Sequence, residues 1–170
     1  MNKQRSVLLL CDTGDSLAVT HLLRKAGANG FNLLPQTCRS GNRLSTDNPI
    51  SGIIHLDSAW YLVNQREQAL EELCHLVHLA PRHALHLPAS LKSLTVEKQD
   101  VLGKDLSMLA SCREGDFLIV ADSELKTEPL LASLKLWLVP QVPIVFHERN
   151  GNKESGGGAE PPPELVKWFQ

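Results

Sequence analysis

Three short apolar runs of the sequence end in an aspartate that is followed directly by a hydroxyl residue. The runs are LLLCDTGDS, IIHLDSAW and LIVADSEL, and their acids are Asp12, Asp57 and Asp122. If the runs are strands of one parallel sheet, the three acids lie along the edge where all the strands end. Two or three carboxylates with water suit Mg²⁺, so this edge is a candidate metal or phosphate site. Asp15 and Ser123 are further members of the candidate cluster.

The same residues have a second interpretation, as helix caps. A loop that leads into a helix commonly ends in Asp, Ser, Thr or Asn, whose side chain accepts a free backbone N–H. Asp15 and Ser16 precede Leu17 in this way, and Asp122 and Ser123 precede a further polar segment. Each such cap contributes about 0.5–2 kcal/mol to stability. From the sequence, a shared metal site and separate caps both remain open.

Short apolar runs alternate with helix-period segments along the chain. Most runs are continuously apolar, as expected for strands that helices cover on both faces. The predicted strands are Val7–Cys11, Phe31–Leu34, Gly52–Leu56, Ala84–Leu87, Phe117–Ala121 and Val142–Phe146. The predicted helices are Ser16–Ala26, which Gly27 ends, Gln65–Leu79, Thr95–Cys112 and Glu128–Val139. This alternation predicts a three-layer α/β fold with a mostly parallel sheet of five to six strands and helices on both faces.

The stretch VLLLCDTGDSLAVTHLLRKAG, together with GIIHLDSA and FLIVADS, resembles the receiver domains of bacterial response regulators. The resemblance implies a flavodoxin-like fold in which Asp12 and Asp15 are the acids after the first strand. It also implies that Asp57 is the phospho-accepting aspartate and that Ser123 is the hydroxyl residue of the site. The resemblance therefore favours a signalling module.

Several departures from the receiver pattern affect the expected function. His147 in VPIVFHE stands where receivers have a lysine, and Asp12 follows a cysteine where they have a second acid. An additional strand and helix, about residues 83–113, must also be inserted. We therefore expect a non-catalytic receiver-like module for signalling or assembly that acts through protein–protein contacts, without a cofactor unless Mg²⁺ binds. Two alternatives stay open: a small Mg²⁺-dependent phosphoryl-transfer or phosphohydrolase enzyme, and a structural subunit without a ligand.

The composition limits the kinds of partner. The chain has 170 residues, a net charge of −2 and a pI near 6.4. A nucleic-acid-binding face needs a strongly basic surface, so we do not expect a nucleic acid as the partner. No apolar run approaches the roughly 18 residues of a membrane span. Four widely separated cysteines favour a reduced, cytoplasmic location. Arg39 and Arg43, in the polar stretch TCRSGNR, are candidate contacts for an anion.

The last residues of the chain are the predicted partner-binding segment. The sequence predicts an α/β domain over residues 1–148, a flexible Gly- and Pro-rich linker over 149–163, and a short apolar segment over 164–170. Large apolar and aromatic side chains are typical anchors of protein interfaces. The predicted docking residues are Leu165, Val166, Trp168 and Phe169. Docking on a protein partner and folding back onto the same domain are the two outcomes that the sequence leaves open.

Overall fold

The computed structural model describes residues 5–11, 16–37, 50–56, 58–111, 116–138, 142–148 and 161–169. Six strands lie within these ranges: β1 (Arg5–Cys11), β2 (Phe31–Thr37), β3 (Ile50–His55), β4 (Arg82–Leu87), β5 (Asp116–Asp122) and β6 (Ile144–His147). They form one sheet in the order β2-β1-β3-β4-β5-β6, and every neighbouring pair is parallel. The first five strands have the order of flavodoxin-like folds, and β6 extends the sheet by one strand. The predicted fold class is confirmed.

Helices cover both faces of the sheet. They are α1 (Ser16–Ala28), α2 (Ser58–Asn64), α3 (Arg66–Val77), α4 (Val96–Ser111), α5 (Pro129–Trp137) and α6 (Glu164–Lys167). Two 3₁₀ helices, Ala89–Ser93 and Ser123–Leu125, follow β4 and β5. The four predicted helices correspond to α1, α3, α4 and α5, each within two residues at either end, whereas α2 and α6 were not predicted from the pattern.

The ends of the helices follow from local chemistry, with one correction. Gly27 was predicted to end α1, but it lies inside the helix, and the chain turns at Gly30, whose φ is +80°. Only glycine adopts this left-handed conformation at little cost. At the start of α4, the hydroxyl of Thr95 accepts the backbone N–H of Lys98 at 3.3 Å. Pro129 occupies the first turn of α5, where its missing N–H is not needed.

Two separate apolar cores lie on opposite faces of the sheet. Ile53 of β3 belongs to the core under α2, α3, α4 and α5, while its neighbour Ile54 belongs to the core under α1 and residues 161–169. Successive side chains of a strand point to opposite faces, so a strand covered on both sides is apolar throughout. This arrangement explains the continuous apolar runs of the sequence.

The predicted division into domain, linker and tail is described only in part. Residues 149–160 of the predicted linker lie outside the described residues. Pro161 and Pro162, which the prediction assigned to the same linker, are buried. Across the described part of the chain, no helix combines the length and apolar character that crossing a lipid bilayer requires.

Candidate functional site

The order in which successive strands are added to the sheet reverses between β1 and β3, which are parallel and have adjacent carboxyl ends. Leu10 lies opposite His55, and the backbone N–H of Leu56 donates to the carbonyl of Leu10 at 2.7 Å. In open parallel sheets this switch point is where ligands bind. The predicted site residues that belong to the neighbouring loops, Asp12, Asp15, Arg39, Arg43 and Asp57, lie outside the described residues. Their clustering around a metal ion or phosphate therefore stays a prediction.

Asp122 ends β5 and acts as a helix cap. Its side chain is buried, and its Oδ1 accepts the backbone N–H of Glu124 at 2.9 Å. This hydrogen bond satisfies one of the free N–H groups at the start of the 3₁₀ helix Ser123–Leu125. Of the two interpretations given to Asp122, capping is the one that the structure shows.

The position of β5 also separates Asp122 and Ser123 from the proposed receiver-like centre. The strand β4 lies between β3 and β5. Neighbouring strands are about 4.8 Å apart, so the end of β5 is roughly 10 Å from the end of β3, which precedes Asp57. Ser123 therefore lies two strands from β3, and its assignment as the hydroxyl of a receiver site stays a prediction. Among the described residues, no three side chains of His, Cys, Asp or Glu come together as a metal site.

His147, which stands where receivers have a lysine, forms a hydrogen bond within the fold. It lies opposite Asp122 in the ladder between β5 and β6. Its Nδ1 is 3.1 Å from the Oε2 of Glu164, and both side chains are partly shielded from solvent. Glu164 is the first residue of α6, so this contact ties the C-terminal segment to the edge strand of the sheet.

The C-terminal segment packs on its own domain. Leu165, Val166 and Phe169 are buried in the core that α1 also covers, and Trp168 is packed against the same core. Side chains in a dry core are not available to a partner. The expectation that Leu165, Val166, Trp168 and Phe169 dock on a protein partner is therefore corrected: this segment docks in cis.

Two residues of the sheet create the binding place for this segment. The ring of Phe169 lies over Gly52 of β3, where a Cβ atom would overlap it, and contacts Phe31 at a centroid distance of 6.2 Å. The guanidinium of Arg82 lies 4.8 Å from the centre of the Trp168 ring, and its Nη1 donates to the Trp168 carbonyl at 3.1 Å. Both anchors sit at the amino-terminal ends of strands, opposite to the His147–Glu164 contact.

A buried pair of histidines lies beneath the carboxyl end of β3, and the sequence pattern did not reveal it. The Nε2 of His83 lies 2.9 Å from the carbonyl of Ala80, which can only accept, so this nitrogen carries the proton. The Nδ1 of His83 then accepts from the Nε2–H of His55 at 3.3 Å. Phe117 stacks on both rings. Burial, with a smaller contribution from His83, lowers the pKa of His55 well below its usual value, so His55 is neutral at neutral pH.

Several large exposed apolar side chains lie along α4 and at the end of α5. Here we define the α4 surface as Val101, Lys104 and Met108 of α4 with Leu136 and Trp137 of α5. The exposed fractions are 44% for Met108, 76% for Leu136 and 55% for Trp137. Val101, Lys104 and Met108 are spaced by three and four residues, so they share one helix face. The Nζ of Lys104 lies 5.5 Å from the centre of the Trp137 ring, which joins the two helices into one surface.

An open pocket of about 260 Å³ adjoins this surface at the other end of α4. The pocket is lined by Leu62, Val63, Arg66, Glu97, Lys98, Val101, Leu102 and Asp105. Asp105 is buried, and Arg66 binds it through Nε at 2.9 Å and through Nη2 at 3.1 Å. This two-point hydrogen bond raises the pKa of Arg66 and fixes its guanidinium at the rim.

Comparisons with known proteins give a similarity of fold alone. No protein-family model matches the chain, and no curated protein matches its sequence. Similar solved structures include the diflavin flavoprotein A3 from Nostoc sp., with 11% identity, a TM-score of 0.36, and coverage of 99% of this chain and 88% of that one. An oxidoreductase from Corynebacterium diphtheriae has 13% identity and a TM-score of 0.35, with coverage of 99% of this chain and 91% of that one. At such TM-scores these similarities support no inference about a cofactor, and the flavodoxin-like classification rests on the strand order.

Proposed function

We propose that the chain is a non-catalytic module for signalling or assembly that acts through protein contacts made by the α4 surface. The observation that carries the proposal is the exposure of Trp137, at 55%, which follows Leu136 on α5 and lies by Lys104, one helical turn before Met108. Isolated exposed apolar residues are common on soluble proteins, whereas adjoining ones mark interaction sites. Tryptophan in particular is enriched among the residues that dominate binding energy.

The packing of α4 against α5 makes this surface rigid. Gly103 lies close to Ser133, whose hydroxyl donates to the carbonyl of Asp100 at 3.2 Å, and the hydroxyl of Ser107 lies 3.4 Å from the carbonyl of Leu134. These contacts hold the exposed side chains on a fixed support. A preformed surface loses little conformational entropy on binding, which favours recognition of a protein partner.

The chemistry at the end of β5 also supports a non-catalytic role. Asp122 is engaged by a backbone N–H, and His147 on the neighbouring strand is engaged by Glu164. A catalytic acid or base needs a substrate proton within hydrogen-bonding reach. In this part of the edge both groups instead hold elements of the fold together.

Photo-crosslinking in the native host tests the proposal. A photoreactive amino acid replaces Leu136 on the α4 surface or, as a matched control, Leu17 on α1, which is also exposed and lies on the other face of the sheet. We expect position 136 to give one defined protein adduct that Trp137→Ala removes, and position 17 to give none. Equal adducts from both positions, or none from position 136, would contradict the proposal.

A further inference from the structure

We propose that the partner of the α4 surface is a second copy of the chain, which docks by inserting its Trp137 into the pocket beside Val101. The inference rests on the proposed function of this surface. Its basis is that an exposed indole, which lies by Lys104 of α4, and an open apolar pocket, which Val101 of α4 lines, both adjoin the same helix. A two-fold axis midway between them places the indole of each copy at the pocket of the other, as symmetric dimers require.

The dimensions agree with this arrangement. Val101 lines the pocket, and Lys104, whose Nζ lies by the Trp137 ring, is three residues further along α4. At 1.5 Å per residue these two positions are about 5 Å apart along the helix axis, so both features fit within one standard interface. The pocket of about 260 Å³ is at the scale of one large side chain and below the roughly 300–1,000 Å³ of most small-molecule sites.

The surface carries an acidic residue, Glu97, beside Lys98 at the pocket, and a basic residue, Lys104, at the indole. The same two-fold axis that exchanges pocket and indole therefore brings Lys104 of each copy towards Glu97 of the other. Neither residue has an ion-pair partner among the described residues, and both are exposed. Facing opposite charges favour this orientation over others.

Arg66 gives the pocket a second feature that suits an indole. Its guanidinium is held at the pocket by the buried Asp105. A fixed guanidinium stacks readily on an aromatic face, and tryptophan is the preferred ring for such contacts. The chain already contains one example, since Arg82 lies over the ring of Trp168.

Sedimentation equilibrium of the full-length chain tests the inference. We expect a reversible dimer whose dissociation constant rises about thirtyfold or more in Trp137→Ala, because anchor residues carry most of the binding energy. Leu17→Ala, on α1, is the matched control and should leave the dissociation constant unchanged. Each variant should fold, because all the substituted side chains are exposed. Circular dichroism melts verify this.

A charge exchange tests the proposed orientation. Glu97→Lys and Lys104→Glu should each weaken the dimer about two- to thirtyfold, because each change alters both symmetry-related ion pairs, and the double variant should recover most of the loss. A chain that stays monomeric at all concentrations, a dimer that Trp137→Ala leaves intact, or a double variant weaker than both single ones would overturn the inference. If the chain is monomeric but position 136 still crosslinks to a different protein, this inference fails and the proposed function stands.

Discussion

The ring of Phe169 occupies the space directly above Gly52, where any other residue would place its Cβ atom. The C-terminal segment thus completes the layer that α1 begins on one face of the sheet. Its remaining ties are the Arg82–Trp168 and Glu164–His147 contacts. The backbone N–H groups of Leu165 to Phe169 all donate to carbonyls of the segment itself. Among the described residues, the segment therefore contacts the sheet mainly through side chains.

A side chain at position 52 should destabilise the domain by displacing Phe169. Gly52→Val is expected to lower the free energy of unfolding by about 1–3 kcal/mol, the usual cost of overpacking a core. Urea titration measures this change. Gly27→Ala is the control, because a Cβ atom there meets nothing within 4 Å and alanine favours the helix interior. Equal stability of Gly52→Val and the wild type would show that Phe169 does not need this space.

Removal of residues 161–170 should destabilise the domain strongly. The deletion exposes the core surfaces that Leu165, Val166 and Phe169 cover, and fully burying each such side chain contributes about 1.5–3 kcal/mol. We expect a fall of many degrees in the melting temperature, measured by calorimetry. An unchanged melting temperature would instead restore the idea that this segment serves a partner.

Acid should destabilise the protein through the buried histidine pair. Because the pKa of His55 is lowered in the folded state, the unfolded chain binds more protons below the ordinary histidine value near 6.5. The stabilisation is complete above this pH and falls as the pH drops towards the folded pKa, by up to about 1.4 kcal/mol per pH unit.

Urea titrations at a series of pH values between neutral and mildly acidic test this dependence. The variant His55→Leu removes the titrating group and should flatten the profile, whatever its effect on stability at neutral pH. His78→Gln, which changes an exposed histidine, is the control and should keep the wild-type slope. A profile that is just as steep in His55→Leu would assign the acid sensitivity to other groups.

The chain should not accept a stable phosphoryl group from acetyl phosphate. Receiver-like chemistry needs a cation near the transferred group to offset its charge. His147 is engaged by Glu164, and Ser123 lies two strands away from β3. Intact-mass spectrometry with and without Mg²⁺ measures the reaction. A clear adduct that Asp57→Asn removes would favour the alternative of a phosphoryl-transfer protein that uses the strand-end acids.

The sequence was sufficient for the fold and insufficient for most of the site, for identifiable physical reasons. Continuous apolar runs separated by helix-period segments allow little besides a covered parallel sheet, so the fold class followed directly. The seven residues of α2 are too few to show a period, and two glycines near the end of α1 allowed Gly27 to be chosen over Gly30.

The sequence pattern does not predict contacts between distant parts of the chain. His55 and His83 are 28 residues apart, and the diagonal contact between their strands depends on a register that composition does not specify. The tail residues Leu165, Val166, Trp168 and Phe169 would be apolar for binding in cis and for binding in trans alike. The one indication in the sequence of where they bind is Gly52, a strand residue without a side chain. The pocket beside Val101 combines two segments more than thirty residues apart.

The oxidation rate of Met108 tests the central claim most directly. Besides Met1, Met108 is the sole methionine of the chain, and its side chain is 44% exposed on the α4 surface. Mild peroxide converts accessible methionine to its sulfoxide, which adds 16 Da to one identifiable peptide. If the α4 surface binds a protein, Met108 should oxidise several times more slowly in the native host, or at high protein concentration, than in the dilute purified chain, with an added methionine-containing peptide as the reference. Equal rates for Met108 under all these conditions would contradict the claim that this surface makes protein contacts.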